Sequence, residues 1–388
     1  MNVLFVNSWM SLSKTDCGGS VRTIMMLEAL ARIANVDVVS FNTNGICAID
    51  NVNVVFNGTI EPEKKHNESR WEKFNRLLRF RDPYSYYPKN EAEERVVDSF
   101  VNTCKYDIIV VRYFYQACEC GLLKYASRLV IDVDDNPREA LRSQAKLTKS
   151  LRNKVFVLLQ SFLVQKMVNE QSKAVRFLFY SNPKQAGGTK TAYLHNVSLI
   201  SSENDNVDFQ KTPMRLLLVG NMDYYPNRLG LAHFVRNIFP KILTVIPEVE
   251  LHVVGKFEDD NIKEKYNSMK GVKCMGFVDN LVKEYADSRV VIVPIYHGAG
   301  TSIKVIEAMK MRRPVVSSPY GVRGFESYFK DGRDFLLAKT DDDFIKKTIL
   351  LLTNREICQS ISDSAYESAL GNFSQERFCE IIKECLLV

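Results

Sequence analysis

The sequence contains no apolar run of the roughly 20 residues needed to cross a bilayer. Its first eight residues are apolar but lack the basic flank of a secretory signal, so a first strand is expected there rather than a leader. The nine cysteines are scattered. Only Cys118 and Cys120 stand close together, and no second pair completes a zinc set. An odd number of cysteines without an export signal points to reduced thiols in a cytoplasmic protein. Net charge is also small. Lys and Arg number 52 and Asp and Glu 46, which leaves a formal +6. That is too little for a nucleic-acid partner, but it suits anionic nucleotides or an anionic inner membrane face. What remains is an ordinary globular composition, 46% hydrophobic and 25% charged, over 388 residues. Such a length suits two domains of similar size better than one core.

The most informative stretch is 290–325, VVIVPIYHGAGTSIKVIEAMKMRRPVVSSPYGVRGF. It reads as a buried strand at 290–294, a loop holding His297, Gly298 and Gly300, a helix over 301–311, and a second strand at 314–317. Thr301 and Ser302 are good N-cap residues, and the backbone N–H groups at such a helix start favour an anion. Lys304 adds a cation in the first turn. Glu307 lies one turn beyond Ile303 and offers a carboxylate to a pair of sugar hydroxyls. Phosphates at the helix start with a ribose held by the Glu describe a nucleotide-sugar site. The bland reading, a capped βαβ unit, accounts for fewer of these residues.

The run GAGTSIKVIEAM followed by RRPVVSSPYGVRG resembles the donor-site signature of retaining glycosyltransferase family four, the group 1 glycosyltransferases. The resemblance implies the α/β GT-B fold, two Rossmann-like domains facing each other across a cleft. It covers the second domain densely, and the first mainly by topology and a glycine loop. In that family an acidic residue often stands eight positions before the Glu; here Ala299 stands there. The resemblance implies donor contacts from His297, Gly298, Gly300, Thr301, Ser302, Ile303, Lys304 and Glu307. It also implies a backbone contact to the base at Phe277 and Val278.

Along the chain, strands are expected at 2–7, 36–41, 52–56, 106–112, 128–133, 177–180 and 192–194. After the first comes Asp16-Cys17-Gly18-Gly19-Ser20 and a helix over 21–32. A glycine pair between strand and helix lets backbone N–H groups approach a phosphate, although on its own a tight turn is the default explanation. The resemblance places Gly18, Gly19 and Ser20 against the donor phosphates and the acceptor, with Arg22 contributing charge. Residues 76–89, RLLRFRDPYSYYPK, mix cations and aromatics. They read as a surface helix with a Pro-ended loop, or as an acceptor- or membrane-facing segment. The strand at 128–133 runs into Asp132-Val133-Asp134-Asp135-Asn136, at the sheet end where open α/β folds bind ligands. Asp132 or Asp134 either orients a sugar hydroxyl or caps the next helix. Many relatives carry a His near the place of Asp134. Helix 151–168 has a large apolar face with Arg152, Lys154 and Lys166 on its rim. Packing on the sheet is expected of it ahead of a membrane-surface role.

His195-Asn196-Val197 stands where the family has a Pro-Asn-Gly turn. The polar stretch 201–213 reads as the linker. Strand–glycine units then follow at 214–227 and 249–256, with a strand-like piece at 272–280. Several relatives place an Arg and a Lys after the first of these strands. The matching stretch 221–228 lacks that pair, so Arg228, Lys256 and Lys304 are the candidate cations. The expected domains are 1–200 on the acceptor side and 214–370 for the nucleotide sugar. A last helix within 371–388 is expected to cross back to the first domain.

The resulting expectation is a transferase moving a sugar from a nucleoside diphosphate sugar to a hydroxyl of a glycan or lipid-linked glycan, with anomeric retention. It needs no metal and no cofactor. Asp134, Gly19, Lys304 and Glu307 carry the chemistry, in the cytoplasm and with peripheral contact to the inner membrane face. Asp132-x-Asp134 has the letters of a metal motif but not its place. Two alternatives stand beside this reading. One is a catalytically degenerate GT-B protein that binds nucleotide or a partner. The other is a nucleotide-sugar 2-epimerase, to which the five histidines lend little acid–base support.

Overall fold

The computed structural model describes every residue except 9, 14–17, 43–44, 46–47, 61–70, 72–74, 76–78, 80, 135, 203–206, 258, 299 and 388. The chain divides into two compact units, one of residues 1–195 with 375–388, the other of residues 196–374.

The first unit is built on seven parallel strands: β1 (Asn2–Asn7), β2 (Asn35–Ser40), β3 (Val52–Asn57), β4 (Ile108–Arg112), β5 (Leu129–Asp134), β6 (Phe177–Tyr180) and β7 (Thr191–Tyr193). Their order across the sheet is β3-β2-β1-β4-β5-β6-β7, so the direction of winding reverses between β1 and β4. The runs NVLFVN and IIVVR are apolar almost throughout because helices cover both faces of a parallel sheet. Helix Gln375–Leu386 belongs to this unit. Its Phe378 is fully buried, edge-on to His195 and 5.9 Å from the Arg22 guanidinium carbon.

The second unit has six parallel strands: β8 (Arg215–Val219), β9 (Glu250–Val254), β10 (Val272–Gly276), β11 (Val290–Val293), β12 (Val315–Ser317) and β13 (Leu336–Leu337). They lie in the order β10-β9-β8-β11-β12-β13. Side chains alternate between two cores. Leu216, Leu218, Val290 and Ile292 enter one, and Leu217, Val291 and Val293 the other, as the two-residue period of a strand requires. β13 is only two residues long and carries no periodic signal of its own. Both units show the Rossmann-like order 3-2-1-4-5-6, which the first extends by β7, and open sheets of this kind bind ligands outside the strand ends at the reversal.

Helix Leu151–Ser172 departs from expectation. Its C-terminal part seats Val164, Met167 and Val168 in the first unit's core, whereas Leu151, Val155, Leu158, Leu159 and Phe162 ahead of them stay exposed. The expected packing on the sheet therefore holds for that part of the helix.

Candidate functional site

In the second unit the reversal lies between β8 and β11, and the sequence-selected residues gather at those strand ends. β8 leads into Gly220, whose φ of 155° only glycine adopts readily. A Cβ there would stand 2.8 Å from the Lys304 amine and 2.6 Å from Asn227 Nδ2. The missing side chain is therefore what lets the lysine reach the loop. Lys304 comes from helix Ile303–Lys310, is buried, and donates from Nζ to Asn227 Oδ1 at 2.9 Å. Asn227 in turn donates to the Asn221 carbonyl at 2.8 Å. Burial pushes the Lys304 amine down to about 8, and Glu307 offsets only part of that. A cation so placed gains much from an incoming anion.

Ser302 occupies the N-cap position of this helix but makes no side-chain cap, and Thr301 Oγ1 instead accepts from Asn196 Nδ2 at 2.7 Å. The expected capping hydroxyls are therefore absent from that role. Among the described residues no acceptor meets the N–H groups of Ile303 or Lys304, which leaves the helix start open to a ligand. One turn on, Glu307 Oε2 accepts from the fully buried Tyr285 hydroxyl at 2.9 Å. Burial raises the Glu307 carboxyl, opposed by the Tyr285 hydroxyl and Lys304. Tyr285 holds one oxygen of the carboxylate in place. Nothing in its helix, Leu281–Ala286, would have singled it out.

The glycine loop before the helix is fixed from behind by Arg323, which donates to the carbonyls of Gly298 at 3.1 Å and Gly300 at 3.2 Å. Gly298 has a φ of 129° and lies beside Pro226 and the Tyr224 hydroxyl, while Ala299 lies outside the described residues. His297 packs near Tyr320, and Arg228 lies over the Tyr225 ring. Lys256 is exposed, with no side-chain partner among the described residues, and its carbonyl accepts from Met222 N. Phe277 is 60% exposed, and Val278 packs against the core.

In the first unit the glycine pair, expected in a loop ahead of a helix at 21–32, stands in the first turn of that helix and rests on a buried charge network. Arg22 grips Asp132 with two hydrogen bonds of 2.8 and 2.7 Å and donates to the carbonyls of Leu194 and His195. Arg112, the last residue of β4, bonds Asp132 at 3.0 Å, Asp134 at 2.6 Å, Thr23 Oγ1 at 2.8 Å and the Gly19 carbonyl. Asp132 is fully buried; burial would raise its carboxyl, but Arg22 and Arg112 more than offset this and hold it below the usual range. Neither aspartate caps the following helix, which is capped by Asn136, its Oδ1 accepting from Arg138 N. Asp132 is committed to the two arginines instead, and Arg22 to Asp132, so its charge is spent inside the protein. Asp134 keeps some exposure and has a φ of 54°, uncommon for a side-chain-bearing residue, as does Tyr113 at 68°. Gly18 and Gly19 open helix Gly18–Ala31 and Ser20 is buried; Asp16, Cys17 and Asp135 lie outside the described residues. Arg112 was legible only as a charge ending an apolar strand.

Residues 213–354 match the family model described as Glycosyl transferases group 1. The match takes in less than half of the chain. Trehalose synthase of Thermococcus litoralis is 28% identical over 152 residues, 36% of each chain, so the match spans about a third of that relative's length. Sucrose-phosphate synthase from Thermosynechococcus elongatus superposes with a TM-score of 0.70 at 14% identity, covering 99% of this chain and 98% of that one. The Anabaena protein Alr3699/HepE, solved in complex with UDP-glucose, gives 0.62 at 14%, covering 100% and 99%. At these identities the structural likeness is one of fold, and that fold is GT-B. The matched stretch contains the Gly220 loop, the Arg323-held glycine loop and the Lys304–Glu307 helix together.

Proposed function

We propose that this protein is a glycosyltransferase that moves a sugar from a nucleoside diphosphate sugar to a hydroxyl of a glycan or lipid-linked glycan, with retention at the anomeric carbon. The observation that carries the reading is the buried Lys304 amine at an uncapped helix start, one turn before a carboxylate fixed by Tyr285. In this reading the diphosphate takes the N–H groups of Ile303 and Lys304 together with the Lys304 charge. The ribose hydroxyls donate to Glu307. The base lies by Phe277 and Val278, with Arg228, Lys256 and His297 at the margin. Complexes such as that of HepE with UDP-glucose support a nucleotide sugar as the donor class.

The bond from the anomeric carbon to the phosphate oxygen breaks while the acceptor oxygen bonds to that carbon from the same face. The acceptor proton passes to the departing diphosphate. Stabilising charge on that diphosphate is the main catalytic task, and preorganised donors achieve it without reorganisation. Lys304 and the helix start supply them, with Gly18, Gly19 and Ser20 of the first unit on the acceptor side. Asp134, oriented by Arg112, positions a hydroxyl of the transferred sugar. The reading assigns no metal and no cofactor, and it places the reaction in the cytoplasm.

The test supplies UDP-, GDP- and ADP-sugars of α configuration and follows nucleoside diphosphate release and the product by NMR. Release from one base class with an α-configured product is expected. A β-configured product would overturn retention, and no release from any donor would overturn the activity.

A further inference from the structure

From residue 140 to residue 169 the chain has no Asp or Glu but six cations, Arg142, Lys146, Lys149, Arg152, Lys154 and Lys166, all exposed. This stretch forms most of a hairpin of two helices, Pro137–Leu147 and Leu151–Ser172. The second helix leaves Leu151, Val155, Leu158, Leu159 and Phe162 between 41% and 76% exposed. At about 100° per residue these five positions fall on one face some 100° wide and about 16 Å long. Arg152 projects at one edge of that face and Lys154 at the other. Neither they nor Lys149 in the connecting turn make an ion pair among the described residues.

We propose that this hairpin is a docking surface for an anionic lipid bilayer. Apolar side chains grouped on one face gain free energy on leaving water in proportion to the area they bury. Flanking cations with long aliphatic stems reach the headgroup level while the apolar row enters the acyl boundary. The charge argues for lipid rather than a second copy of the chain, because a copy's apolar face would bring the like charges of Lys149, Arg152 and Lys154, and the hairpin's acids, Glu139 and Glu170, lie outside that stretch. An anionic leaflet neutralises them all. The C-terminal half of the helix, anchored in the core through Val164, Met167 and Val168, holds the apolar row out from the first unit. The proposal does not depend on the nucleotide-sugar site's activity.

The experiment is co-sedimentation of the full chain with vesicles of phosphatidylglycerol and phosphatidylcholine in equal parts, and with vesicles of phosphatidylcholine alone. Three proteins are compared: wild type, Val155→Ser/Leu159→Ser/Phe162→Ser, and Lys149→Gln/Arg152→Gln/Lys154→Gln. Wild type is expected to bind the anionic vesicles and to lose affinity as salt rises. The charge variant should weaken by about fivefold for each cation removed, and the apolar variant by tenfold or more. All replaced side chains are exposed, so far-UV circular dichroism and the melting midpoint should not move. Wild type failing to bind anionic vesicles overturns the proposal, as does equal binding by all three proteins. A concentration-dependent dimer lost in the apolar variant, without vesicle binding, overturns it in favour of self-association.

Discussion

Lys304 is the residue on which the nucleotide-sugar reading turns. Its amine is buried against Asn227 and pushed down to about 8 from 10.5, burial being the first cause. A diphosphate beside it would restore the charge, so nucleoside diphosphate binding near pH 8 should take up a proton. Calorimetry in buffers of different ionisation enthalpy reads that uptake directly. Affinity should be full below about pH 8 and fall as pH rises through it, by up to about tenfold per unit. Lys304→Met should bind more weakly, without the pH dependence or the uptake. The sign for folding is opposite. The unfolded chain holds the lysine proton up to its ordinary value, so this residue makes stability rise with pH between about 8 and 10.5. Equal proton uptake in wild type and variant would remove Lys304 from the site. At this scale the sequence was only half legible. Lys304 and Glu307 sit in a recognisable local pattern, but their partners Asn227 and Tyr285 lie 77 and 22 residues away. Arg22 and Asp132 meet across 110 residues, a pairing that no spacing rule reveals.

Among the elements, the glycine loop between β11 and helix Ile303–Lys310 is the one whose shape matters most. Arg323 holds two of its carbonyls from the far side. Hydrogen bonds from a charged group contribute about 1.5–3 kcal/mol each. Arg323→Ala should therefore weaken nucleoside diphosphate binding by roughly tenfold or more, and Arg323→Lys should recover only part, lacking the fork. Titration by calorimetry checks this, and unchanged affinity in the alanine variant would show that the loop keeps its shape unaided. The strands themselves were legible because a parallel sheet covered on both faces leaves an unbroken apolar run, as in β1 and β4. The helix caps were not. Ser302 and Thr301 have the right chemistry, yet Thr301 is engaged by Asn196 and Ser302 bonds nothing as a cap. Cap propensity is local, and tertiary partners override it.

Across the whole molecule, two sheets share the order 3-2-1-4-5-6, which the first extends by β7; glycines follow the first strand of each, Gly18 and Gly19 in a helix's first turn and Gly220 after β8, and the group 1 match spans the second. The last helix, Gln375–Leu386, follows the second unit in sequence but packs in the first, burying Phe378 against His195 and Arg22. Deleting residues 375–388 should lower hydrogen-exchange protection in residues 1–195 and leave residues 214–354 protected as before, since protection follows the contacts of each cooperative unit. Equal loss in both stretches would contradict that assignment.

The central claim, a nucleotide-sugar donor site at Lys304 and Glu307, is tested most directly by thermal stabilisation. Wild type and Glu307→Ala are melted with UDP, GDP or ADP at millimolar concentration, since a ligand that binds only the folded state raises the midpoint by mass action. Each protein is compared with itself without ligand, because the substitution also leaves the buried Tyr285 hydroxyl without its acceptor. One nucleotide should raise the wild-type midpoint and fail to raise that of the variant. No shift with any of the three, or an equal shift in both proteins, would contradict the site.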